Sequence, residues 1–84
     1  MMPLLCLAQG HGKVIDSISG DPVPFATIIY ENGSRAINTN EVGEFSLLVA
    51  DTIEAKSMGF HSQKLWFQSK QDQVIRLSRK EVEL

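Results

Sequence analysis

Between His11 and Leu77 apolar side chains recur at every second position, interrupted every seven to twelve residues by turn formers, and this alternation predicts β-strands. Gly12-Lys13-Val14-Ile15-Asp16 reads as a first strand. Asp16 to Pro24 ends it, because two prolines and Gly20 oppose regular pairing. Phe25 to Glu31, rich in β-branched and aromatic residues, predicts a second strand. Asn32-Gly33-Ser34 then turns into a third, Arg35 to Thr39, since Asn-Gly readily takes positive φ. Asn40-Glu41-Val42-Gly43 is a further turn, opened by an Asn that can bond its own backbone and closed by a flexible Gly. Glu44 to Val49 follows, with Phe45, Leu47 and Val49 on one face. Ile53 to Ser57 alternates apolar and charged residues, the pattern of a strand with one wet face. Leu65 and Phe67, with Gln63, define a sixth inward face from which Trp66 points away, and Val74 to Leu77 a seventh.

No window of helical length carries a 3.6-residue stripe. Seven short strands must stack or close, because one open sheet would leave an apolar face in water. The expected fold is therefore all-β, a seven-stranded antiparallel β-sandwich. Its expected core is Val14, Ala26, Ile28, Tyr30, Phe45, Leu47, Val49, Ile53, Ala55, Leu65, Phe67, Ile75 and Leu77.

The ends differ in character from this middle. Met1 to Ala8 is apolar, and Cys6 and Ala8 supply the small residues that a signal peptidase needs before a cut at Gln9. Residues 1–8 are thus expected to be a signal-peptide remnant, residues 9–77 the sandwich, and residues 78–84 a connector. Export to the periplasm or outer membrane is the matching expectation. Ser78 to Glu81 offers no apolar side chain to offset ordering the backbone.

Composition narrows the function classes. The chain has 84 residues, enough for one core, and its single cysteine allows no internal disulfide. The formal charge is −2, and the eight basic residues are spread singly, so no cationic patch for nucleic acid or anionic lipid is expected. No apolar run approaches the roughly 20 residues of a membrane-spanning helix.

Four fragments in order carry a resemblance. They are Gly12-x-Val14-x-Asp16, Gly20-x-Pro22-x-Pro24-x-Ala26-x-Ile28, Thr39-Asn40-x-x-Gly43-x-Phe45-Ser46-Leu47 and Ser57-Met58-Gly59-Phe60. Together they resemble the carboxypeptidase regulatory-like domain family. The resemblance implies a transthyretin-like sandwich serving as an accessory module, as at the N-terminus of TonB-dependent outer-membrane receptors, with a downstream domain or envelope protein as partner. Phe60 stands where the family commonly has tyrosine. Gly12, Asp16, Gly20, Pro22, Ala26, Thr39, Gly43, Phe45, Gly59 and Phe60 all read as folding residues.

Candidate chemistry is sparse. Cys6 would leave with the signal, and His11 and His61 sit in no nucleophile motif, so neither an enzyme nor a cofactor is expected. Two distant histidines fall short of a zinc site. Asp16 and Asp21 share a loop that calcium could use, but both are ordinary turn formers. Trp66, pointing outward, is the candidate contact residue and suggests a glycan as an alternative partner.

Overall fold

The structure is a computed structural model that describes residues 10–48, 50–68 and 72–80. Seven strands run in chain order: β1 (Gly10–Asp16), β2 (Thr27–Tyr30), β3 (Arg35–Asn38), β4 (Glu44–Leu47), β5 (Asp51–Lys56), β6 (Gln63–Phe67) and β7 (Asp72–Leu77). They form a three-stranded sheet, β4-β1-β7, and a four-stranded sheet, β3-β2-β5-β6. The expectation of an all-β, seven-stranded chain matches this arrangement, but its antiparallel pairing needs one correction. β7 runs parallel to β1, with Val14 opposite Ile75 and Asp16 opposite Leu77. The other paired strands are antiparallel. The reason lies in where β6 ends: Phe67 and Gln68 abut Gly10, the first residue of β1. Crossing there into the facing sheet sends β7 off in the same direction as β1, and alternation within a strand carries no information about direction.

Strand boundaries shift for an identifiable reason. Phe25 and Glu31, expected at the two ends of β2, have left-handed backbones with φ of 56° and 53°. An L-residue in that region cannot continue an extended ladder. The hairpin after β2 is left-handed for three residues running, Glu31, Asn32 and Gly33. The loop after β1 also pairs more than its prolines suggest. Asp16 N–H donates to Asp21 O at 2.9 Å and Val23 N–H to Val14 O at 2.9 Å, flanking a bridge between Ile15 and Pro22. Pro22 occupies a non-hydrogen-bonded position of this short antiparallel pair, where no N–H is needed.

The inward faces of the two sheets meet in one core. Val14, Phe45, Leu47, Ile75 and Leu77 from the smaller sheet pack with Ile28, Ile53, Ala55 and Phe67 from the larger, and Val23 and Ala26 close one end. The rings of Phe45 and Phe67 touch across the layers, centroids 5.3 Å apart. Tyr30 and Leu65, expected inside, are half-buried at the margin, and Gln63 is exposed. Val49 lies outside the described residues.

Candidate functional site

The loops after β1, β3 and β5 and the chain after β7 gather at one end of the sandwich, and the motif residues are concentrated there. Thr39 joins two of these loops although its side chain is polar and buried. Its hydroxyl accepts from Ala26 N–H at 2.8 Å and donates to Val23 O at 3.2 Å. Asn40 caps the next turn through Oδ1, which accepts from Val42 N–H and Glu44 N–H. Gly43 closes that turn at φ 77°, and its carbonyl accepts from Val14 N–H at 2.8 Å. A Cβ there would come within 2.6 Å of Val14 O. Gly20 and Gly59 also have positive φ, while Gly12 is bare because the Phe45 ring lies over it.

Among the described residues Asp16 is the one carboxylate inside this end, only 2% exposed. Its Oδ1 accepts from Ile18 N–H at 2.8 Å and Ser19 N–H at 3.2 Å, and its Oδ2 pairs with Arg79 Nε. These contacts hold its pKa below the ordinary aspartate value, the Ile18 amide contributing most, then Arg79 and the Ser19 amide. Both carboxylate oxygens are thus engaged in holding the loop after β1 and the chain after β7. No cluster of metal-ligating side chains occurs among the described residues.

Arg79 belongs to the segment expected to be a connector. That expectation needs correcting for residues 78–80. His61 N–H donates to Ser78 O and Lys80 N–H to Gly59 O, both at 2.8 Å, around a bridge between Phe60 and Arg79. The Arg79 guanidinium also lies 5.7 Å from the centroid of the Phe60 ring. Backbone hydrogen bonds and a cation supply what the missing apolar side chains do not. Residues 81–84 lie outside the described residues, as do residues 1–9 with Cys6 and the expected cleavage site.

The same end contains a basic groove that the spread of charges along the chain did not suggest. Lys56 at the end of β5 and Lys80 line it together with the hydroxyl residues Thr27, Ser57 and Ser62 and the Phe60 ring. Neither lysine forms an ion pair among the described residues.

Three further placements concern chemistry. Trp66 is 57% exposed on the outer face of the larger sheet, opposite Thr52 of β5, as the alternation predicted. On the outer face of the smaller sheet His11 Nδ1 lies 3.0 Å from Ser46 Oγ. Sequence reasoning missed this hydroxyl–imidazole contact, because the two residues meet only through the β1–β4 register. Among the described residues no carboxylate hydrogen-bonds the His11 ring, so the third, orienting member of a nucleophile–base–acid set is lacking. His61 is exposed at the corner before β6.

The residues that carry the resemblance thus form the frame of a two-sheet domain, and residues 10–84 match the CarboxypepD_reg-like domain family. The chain belongs to that family. No curated protein matches the sequence. A CarboxypepD_reg-like domain is in general a non-catalytic β-sandwich module, and the arrangement around Asp16, Thr39 and Gly43 is that of a folding framework. No helix among the described residues is long and apolar enough to cross a membrane.

Proposed function

We propose that this CarboxypepD_reg-like domain is a non-catalytic interaction module of an exported envelope protein, with the transthyretin-like topology of its family, standing at the N-terminus of a TonB-dependent outer-membrane receptor. The family match over residues 10–84 carries the reading. The apolar Met1–Ala8 segment with Cys6 and Ala8 supports export. The motif residues Asp16, Thr39, Gly43 and Phe45 are occupied with folding, which leaves recognition to strand edges and outer faces. The test is fractionation of the native organism with mass spectrometry of the envelope. Peptides of this domain should appear in the outer-membrane fraction, within a polypeptide far longer than the domain and cut before Gln9. Recovery in the cytoplasm as a short chain that still begins at Met1 would overturn the proposal.

A second reading is favoured by one observation, the exposed Trp66 beside Thr52 and Lys64 on the outer face of the larger sheet. An indole in that position can stack on a sugar ring. Calorimetric titration against a glycan panel, with Trp66→Ala as the control, separates the readings. Saturable binding lost in the variant favours the glycan, and no binding leaves the protein-interaction module.

A further inference from the structure

The two most exposed large apolar side chains among the described residues, Met58 at 97% and Ile18 at 88%, stand at the same end of the molecule. Ser17 Oγ and Ser78 Oγ lie 3.5 Å apart, and Gly59 O accepts from Lys80 N–H, so Ile18 and Met58 flank residues 78–80 from either side. Beside Met58 opens the groove of Lys56 and Lys80 with its hydroxyl lining. Two bare apolar tips next to two cations that form no ion pair among the described residues make an amphipathic end, cationic where it is concave and apolar where it projects.

We infer that this end is a docking surface for an anionic lipid membrane, with Lys56 and Lys80 meeting headgroup phosphates while Ile18 and Met58 enter the interface. Charge complementarity names the anion, since a lysine near an anionic leaflet contributes favourably and hydroxyls can add hydrogen bonds to phosphate oxygens. The projecting tips name the membrane over a protein. A protein partner needs a complementary surface of about 800 Å² per side, whereas a fluid interface accepts isolated protruding side chains without matching their shape. Only two cations take part, so attachment is weak and reversible. The contact does not depend on which envelope protein carries the domain.

The test is cosedimentation of the full 84-residue chain with phosphatidylcholine vesicles containing about 30% phosphatidylglycerol. Binding should exceed that to pure phosphatidylcholine roughly fivefold and fall to that neutral-vesicle level near 1 M salt, where the Debye length falls to about 3 Å. The double variants Lys56→Gln with Lys80→Gln and Ile18→Ser with Met58→Ser change only exposed side chains. The lysine variant should lower binding about fivefold, to the level on pure phosphatidylcholine, and the Ile18 and Met58 variant about tenfold, both with the thermal melt unchanged. Wild-type binding by both double variants would put the contact elsewhere, on apolar residues 1–8 in particular, and overturn the inference. Equal binding to neutral vesicles would remove the role of the lysines and overturn it as well. Inorganic phosphate that shifts the Lys56 and Lys80 resonances, without any vesicle binding, would assign the groove to a free anion in place of a membrane.

Discussion

A methyl group on Gly12 would run into the Phe45 ring, so the bare backbone of β1 is what lets that ring lie against the sheet and reach Phe67. Gly12→Ala should therefore cost about 1–3 kcal/mol through overpacking, and Phe45→Ala about 3–5 kcal/mol through the cavity it leaves. Because the two positions touch, the double variant should lose less than the sum. Denaturant melts followed by circular dichroism give all three values, and an unchanged midpoint for Gly12→Ala would mean the ring has room to move. Asp16 makes the second residue-scale prediction. Its folded pKa lies below the ordinary value of 3.8 that the unfolded chain has, so its stabilising effect is complete above about pH 5. It is lost as pH falls through the depressed folded value. Asp16→Asn should lower stability at neutral pH and flatten the acid limb of the stability curve below about pH 5. An acid limb as steep as that of the wild type would assign the dependence to other carboxylates.

At the scale of elements, the two edges that face each other beside β6 and β7 are tied at both ends. At one end Gln73 reaches from β7, its Oε1 accepting from Gln68 N–H and its Nε2 donating to Trp66 O at 3.3 Å. At the other, residues 78–80 pair with the corner at 59–61. The His61 and Lys80 amides should therefore exchange with deuterium well below the rate of an open chain, though faster than Val14 in the core. Arg79→Ala removes both the Asp16 pair and the Phe60 contact, and it should speed exchange at His61 and Lys80 while leaving Val14 unchanged. Random-coil exchange of Lys80 in the wild type would return residues 78–80 to the role of a connector. The sequence did not announce this tie, because hydropathy registers side chains whereas the tie consists of backbone bonds and one guanidinium.

For the molecule as a whole, the parallel partnership of β1 with β7 makes folding depend on the last strand. β1 lies at the centre of its sheet, with β4 along Gly10–Lys13 and β7 along His11–Asp16. Removing residues 69–84 takes away Ile75 and Leu77, strips one side of β1 and uncovers Val14. A domain this small has little stability to spare, so the truncated chain should show no cooperative thermal transition by far-ultraviolet circular dichroism. A two-state melt in that truncated chain would show that the larger sheet is stable with only β1 and β4 against it. Such long-range pairing also places the domain among slower-folding topologies. Trp66 fluorescence is a poor probe of this transition, since the indole is already more than half exposed in the folded state.

Alternation of apolar and polar positions was enough to determine the all-β class, the seven strands, most of the core and the outward direction of Trp66, because a strand buries every second side chain whatever its neighbours are. Local turn chemistry likewise determined the Asn32-Gly33 hairpin and the Asn40–Gly43 turn, whose bonds close within a few residues. What remained for the tertiary structure were the relations between distant segments. The parallel direction of β7, the pairing of Pro22 beside β1, the burial of Thr39 and the contact of His11 with Ser46 arise from register between segments, which no single segment encodes. The Asp16–Arg79 pair and the groove of Lys56 and Lys80 have the same origin. Charges that lie singly along the chain become neighbours only when β5, β7 and the corner at Phe60 converge on one end.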